Sequence, residues 1–205
     1  MGGLAMDAQG VAEITGLLWG PLVVVTSAWR GEANGMIAAT AMRAFIIPEH
    51  PRVSVLVWKF NYTHKLIEHS RVFALNLLSA AQLDKVRAFG FNSGHERNKL
   101  ADVAYATKTN KLADVAYVTK TTGSPILPDV FAYLDCKVVE SMDGGDVTCY
   151  LADVVDAARF RPGEVLSYSI WQSKIPAEWK PHYDAQRAWQ VESARALLEG
   201  QRPGK

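Results

Sequence analysis

Cysteine is nearly missing from this chain. Two residues, Cys136 and Cys149, stand among 205. That is too few for a disulfide framework, and both lie inside hydrophobic strand patterns, which reads as two buried reduced thiols. No CxxC occurs and no Cys/His pair has zinc spacing, so a structural zinc site is unsupported. The GxGxxG fingerprint of a dinucleotide-binding βαβ unit is lacking. So is the GxSxG elbow that would support a Ser-His-Asp nucleophile. No apolar run nears the ~18 residues of a membrane span. The opening MGGLAMDAQGVAEI has no basic segment ahead of an apolar core, so it is not a secretory signal and the chain reads as cytoplasmic. A net charge of +1 gives nucleic acid and anionic membranes no electrostatic handle.

What is present is apolar and strand-like. Hydrophobic residues make up 49% of the chain, enough for one domain with a full core. Residues 1–12 read as a poorly ordered lead-in. Leu22 to Ala28 is rich in Val and Thr and predicts a strand; Arg30 to Gly35 predicts a polar hairpin connection, and Met36 to Phe45 the returning strand. Pro48 to Pro51 breaks the chain. Val53 to Trp58 is apolar on both faces and predicts a central strand. Thr63 to His69 fits two helical turns, and Val72 to Leu78 another strand. Ser79 and Gln82 match a capping box that opens a helix running towards Phe89. Phe131 to Glu140 and Val147 to Asp156 predict a strand pair around a turn at Asp143 to Asp146. Strands at short spacing with brief helices favour an antiparallel barrel over a parallel α/β sheet.

From Phe160 the character changes. EVLSYSIWQSK alternates, and the remainder is helix-rich, with Pro181 at a break or a first turn. Trp179, Tyr183, Trp189, Leu197 and Leu198 would give that helix an apolar face, the mark of packing against the barrel or a second subunit, with a lid over a ligand as the other reading. The chain also carries a local duplication: NKLADVAYATKT, Asn98 to Thr109, is followed at once by NKLADVAYVTKT, Asn110 to Thr121. One tandem copy is not a repeat architecture, which needs roughly three units to bury a core. Loop lengthening of this kind costs little.

Two stretches suggest a ligand. In NGMIAAT, Gly35 permits a turn or a close backbone approach, and Ala38 and Ala39 leave room against a strand for a flat ring. An ordinary hairpin with small residues would read the same. In KFNYTHKLI, Lys59 supplies charge, Thr63 a hydroxyl, His64 a further donor and the opening helix free N–H groups, all suited to a phosphate. Alternatively Thr63 only caps the helix and His64 is a solvated surface residue. His69 and His95 read as surface. FNSGHERNK, Phe91 to Lys99, is a polar loop ending in a basic residue.

Taken in order, PLVVVTS, NGMIAAT, the Pro48/Pro51 break before VSVLVW, NYTHKLI, FALNLLS, FGFNSG with a following Lys, GSPILPDVFAYLDCKVVE and GGDVTCYLADVV resemble the flavin reductase-like family with the FMN-binding split-barrel fold. The likeness spans roughly Leu17 to Ala157. It implies a mainly β fold, an antiparallel Greek-key split barrel with short peripheral helices, over 13–158, and a helical C-terminal extension over 159–205 packed on the barrel or a dimer partner. It implies a homodimer that binds FMN, or FAD, and takes electrons from NAD(P)H, with a monooxygenase or another electron-accepting protein as partner. The alternatives are an FMN electron carrier of the flavoredoxin sort, without NAD(P)H activity, and a barrel with no catalysis.

By position the resemblance implies that Asn34, Met36, Ile37, Ala38, Ala39 and Thr40 line the isoalloxazine. Lys59, Tyr62, Thr63 and His64 would hold the phosphate end. Asn76 would brace the site from the next strand, and Ser93, Gly94 and Lys99 would reach the ribityl or phosphate. Lys111 competes with Lys99 because of the duplication. Three positions depart from the family pattern. Ile37 and Ala39 lack the polar side chains often found there, so ring pairing falls to the backbone. Val147 stands where GDH would place a His linked to the nicotinamide. No acid or base residue is demanded, because the flavin carries the chemistry.

Overall fold

A computed structural model describes residues 8–95, 99–102 and 118–200. Its elements are α1 (Ala8–Thr15), β1 (Val23–Trp29), β2 (Glu32–Ala38), β3 (Met42–Arg43), β4 (Arg52–Trp58), α2 (Tyr62–Ser70), β5 (Val72–Leu77), α3 (Leu83–Gly90), β6 (Val118–Thr119), β7 (Pro125–Ile126), β8 (Ala132–Asp143), β9 (Val147–Arg159), α4 (Tyr168–Lys174) and α5 (Lys180–Gly200). The main sheet runs β2-β1-β5-β8-β9-β4-β3, with every neighbour antiparallel. Its two edges approach each other beyond β2, where the Thr40 hydroxyl donates to Leu56 O at 2.9 Å. The mainly β, antiparallel barrel expected from the sequence is the fold observed.

Strand alternation separates two cores. Val23, Val25, Val55, Val57, Phe73 and Leu75 fill the barrel interior. Val24, Leu78, Phe89, Phe91 and Trp171 form a second core under α3 and α4. Successive side chains of a strand face opposite ways, and β1, covered on both faces, is buried without a gap from Val23 to Ser27. The strands buried on both faces are therefore β1 and β5 rather than β4. In β4, Val53, Val55 and Val57 are buried while Ser54, Leu56 and Trp58 are half-covered, and only two-residue β3 lies beyond it.

Several boundaries differ from the expectation. The β1–β2 turn is Arg30 and Gly31 alone, both at positive φ (50° and 84°), as a two-residue type I′ hairpin requires. Glu32 to Gly35 belongs to β2, whose register pairs Gly35 with Thr26 and Asn34 with Ser27. The return strand ends at Ala38, and Met42–Arg43 pairs with β4 instead. The lead-in is helical from Ala8 onward. At the capping box only one reciprocal bond forms: Ser79 N donates to Gln82 Oε1 at 2.9 Å. Gln82 itself is the residue before α3, and its amide donates to Asp129 O at 2.8 Å. The alternating SYSIWQSK folds as α4, capped by Ser167, whose hydroxyl accepts from Ile170 N at 3.2 Å. Most of the duplication, Lys111 included, lies outside the described residues.

Candidate functional site

β2 is an edge of the sheet, so only one side of its ladder is paired within the chain. Small side chains follow along that edge. Met36, Ile37, Ala38 and Ala39 form one wall of a cavity of about 280 Å³. α3 and the loop after it form a second wall with Phe89, Gly90, Phe91, Asn92, Ser93 and Lys99; Trp19, Trp58, Phe60 and Asn61 form a third. Tyr168 and Trp171 of α4 and the inner face of α5 close it. The close approach at Gly35 turns out to be protein packing: a Cβ there would stand 2.9 Å from the Phe89 ring.

Among the described residues the lining is aromatic and carries two cations, Lys99 and Arg187, with no Asp, Glu or His. Lys99 is 4% exposed. Its Nζ donates to Phe89 O at 2.9 Å, a carbonyl in the last turn of α3 where the helix dipole favours a cation. Among the described residues no carboxylate pairs with it. Burial pushes the ammonium down from 10.5 to about 8. Lys85, buried nearly as deeply, has Asp129 at 2.9 Å. An ammonium taken out of water without a counter-ion is costly, and Lys99 lies on a cavity that an anionic or electron-rich group could enter.

Of the residues singled out in the sequence, Met36, Ile37, Ala38, Ala39, Ser93 and Lys99 meet on this cavity. The others do not line it. Asn34 is buried, bonding Gly94 O at 3.1 Å and its neighbour Gly35 N at 2.6 Å, and so ties β2 to the loop carrying Ser93. Thr40 bonds β4 as described. Lys59 donates to Asp143 at 2.6 Å. The Tyr62 hydroxyl donates to Glu32, which raises its pKa. Thr63 is buried inside the first turn of α2, and Asn61, not Thr63, precedes the helix. His64 is half-buried rather than solvated. Its Nε2 shares a 2.8 Å hydrogen bond with Thr148, and burial lowers its pKa, so it is neutral at pH 7. Asn76 is fully buried: Nδ2 donates to Val24 O at 3.1 Å and Thr26 Oγ1 at 3.0 Å, and Oδ1 accepts from Leu127 N at 2.8 Å. It braces the wall from behind. Val147 pairs with Trp58 across β4 and β9 and is not on the cavity.

Residues 15–170 match the model of the flavin reductase like domain. The chain belongs to this family. A ferric-chelate reductase (NAD(P)H) of Archaeoglobus fulgidus is 30% identical over 150 residues, covering 72% of this chain and 80% of its own length. High molecular weight rubredoxin of Moorella thermoacetica is 29% identical over 168 residues, 81% of this chain and 66% of its own length. Among solved structures, an NADH:FAD oxidoreductase of Streptomyces globisporus superposes with a TM-score of 0.63 at 22% identity, covering 82% of this chain and 95% of its own. Flavoredoxin of Methanosarcina acetivorans gives 0.59 at 19%, with 70% of each chain covered. These likenesses establish the split-barrel fold of the flavin reductase-like family here.

The sequence does not reveal the third wall, and it leaves open whether the C-terminal helix packs on the barrel or covers a ligand. Trp58 and Phe60 flank Lys59 but look like ordinary strand-end aromatics. Tyr183 and Trp189 were noticed as an apolar stripe, yet a helix face lining a cavity and one packing on a core share the same spacing. The polar Gln186, Arg187 and Gln190 on that stripe were the available signal.

Proposed function

We propose that this chain binds FMN, or alternatively FAD, in the cavity and uses it to pass reducing equivalents from NADH or NADPH to free flavin or a downstream acceptor. The observation that carries this reading is Lys99, a buried ammonium with no carboxylate partner among the described residues, lining an aromatic cavity beside the small-residue edge strand. Bound flavin would supply the hydride-accepting ring and deliver electrons onward. The chain's part is to hold it. Ile37 to Ala39 leave room for a flat ring and offer backbone groups to its polar edge. The Lys99 ammonium presents positive charge where reduction adds negative charge to a ligand, and the aromatic walls exclude water. Asn61 lines the cavity and also precedes α2, so a phosphate leaving the cavity on that side would meet the helix N-terminus with Lys59, Tyr62, Thr63 and His64 around it.

The printed names of relatives support the nicotinamide step. Besides the A. fulgidus reductase they include a reductase component of a Rhodococcus opacus nitrophenol monooxygenase and an NADH-dependent FAD reductase. An oxygenase or another electron-accepting protein in the cytoplasm is the partner this reading calls for. Met42, Ile46 and Ile47 are 60%, 89% and 59% exposed beside edge strand β3, a face suited to a second copy of the chain. No helix among the described residues is long and apolar enough to cross a membrane.

The test is a titration of purified apoprotein with FMN and FAD, followed by NADH and NADPH oxidation. Saturable binding with turnover supports the reading. Binding without turnover selects the second reading, an FMN electron carrier, which Val147 in place of a histidine favours. No binding of either flavin refutes both.

A further inference from the structure

We propose that α5 is a specificity element for the hydride donor, and that Arg187 on it pairs with a phosphate of that dinucleotide. This rests on the flavin reading above. The family match ends at residue 170, whereas α5 is Lys180–Gly200, so the helix lies outside the part of the chain shared with the family. It is 21 residues long and buries none of them. It is held by two rings: Tyr183 meets Phe91 and Trp171, and Trp189 meets Phe60 edge-on with centroids 5.3 Å apart. Beside them α5 turns Gln186, Arg187, Gln190, Val191 and Ala194 to the cavity. Their spacing of 3, 4, 7, 8 and 11 residues from Tyr183 places them on one face.

Three of these side chains are polar, which suits recognition more than packing. Arg187 is exposed, and its Nη1 donates to Gln190 Oε1 at 3.3 Å, a bond within its own helix. No carboxylate pairs with it among the described residues. Among the described residues the cavity thus has one deeply buried cation, Lys99, and one exposed cation, Arg187, with no acidic residue on its lining. If the enclosed space takes the flavin ring, the exposed guanidinium is left for a second anion. A guanidinium fork suits phosphate oxygens, and the two glutamines offer donors and acceptors to an amide. A nicotinamide dinucleotide carries both groups.

The experiment uses flavin-loaded full-length protein and calorimetric titration with NAD+ and NADP+, which bind without turnover. Arg187→Ala is expected to weaken dinucleotide binding about fivefold to twentyfold while the FMN Kd changes less than twofold. Arg187→Lys is expected to recover part of the loss. Equal weakening of NAD+ and NADP+ assigns Arg187 to the shared pyrophosphate, and weakening of NADP+ alone to the 2′-phosphate. Unchanged dinucleotide affinity, or a loss confined to FMN, would overturn the proposal. So would wild-type protein that binds FMN but neither dinucleotide. Failure to bind flavin at all would instead strike the underlying reading, and the FMN titration detects that first.

Discussion

Lys59, at the approach to α2, donates to Asp143 at 2.6 Å. Lys99, on the cavity, donates to the carbonyl of Phe89 and to no carboxylate among the described residues. Both lysines are candidates for the same flavin nucleotide, yet the fold treats them in opposite ways. Around Lys59 the side chains are already satisfied: Tyr62 by Glu32, His64 by Thr148, Lys59 by Asp143. At the cavity, by contrast, no carboxylate among the described residues compensates the buried Lys99 charge. Complementarity inside the protein stabilises the apo state, while an unpaired buried charge stores affinity for a ligand. Under the proposed flavin reading, the two places would contribute differently: the cavity offers an ammonium with no described counter-ion, and at α2 an anion would have to compete with Asp143.

Removing Lys99 should have the largest effect. Lys99→Met is expected to weaken FMN binding roughly tenfold to a hundredfold, the range for a lost charge-assisted contact, read by titration. The apoprotein should respond in the other direction. With a folded-state pKa of about 8 against 10.5, the unfolded chain holds a proton on Lys99 between those values that the folded chain has shed. Apoprotein stability therefore rises with pH across that window, by up to about 3 kcal/mol. Below it both states are protonated and the full cost of burial is felt. Lys99→Met should thus raise the apoprotein Tm at pH 7, and the advantage should fade towards pH 10.5. Flavin affinity of the wild type should fall above pH 8 as the ammonium is lost. A flat affinity profile with unchanged affinity in the variant would dissolve the contrast between the two lysines.

Asn76 sharpens the boundary between holding the wall and touching the ligand. Asn76→Ala strips a buried amide from Val24 O, Thr26 Oγ1 and Leu127 N. The stranded partners should cost roughly 3 kcal/mol, a fall in Tm of about 6–12 °C for a chain of this size. FMN affinity measured well below the melt should stay within twofold. A large affinity loss with an unchanged Tm would instead make Asn76 a ligand contact.

What could be read in advance follows from how local each signal is. Ala38 and Ala39 revealed the wall because a strand that gives up bulk is conspicuous without any neighbour in view. β1, β4, β5 and the β8–β9 hairpin followed from apolar runs between turn residues. The β1–β2 turn was drawn too long because Glu32 and Asn34 are polar, and an edge strand tolerates polar residues that a central one does not. SYSIWQSK alternates over too few residues to separate strand from helix, and the Ser167 cap decided it. That no described carboxylate pairs with Lys99 is beyond the sequence, since it depends on which carboxylates the fold leaves distant. Asp143 lies 84 residues from Lys59 in the chain and only the β8–β9 hairpin brings it near.

The smallest expected effect tests that last pairing. Asp143 is 67% exposed and Lys59 18% in their side chains, so the pair is a surface ion pair that solvent screens. Asp143→Asn should leave Tm almost unchanged. If Lys59 serves the phosphate of the flavin, the same substitution removes its competitor. FMN affinity should then rise modestly, about two- to fivefold. Riboflavin, which has the ring but no phosphate, should show no gain. A matching gain for riboflavin would place the effect in the general field around the cavity, and no gain for either ligand would remove Lys59 from the site. The comparison of the two lysines would then be between a binding residue and a structural one.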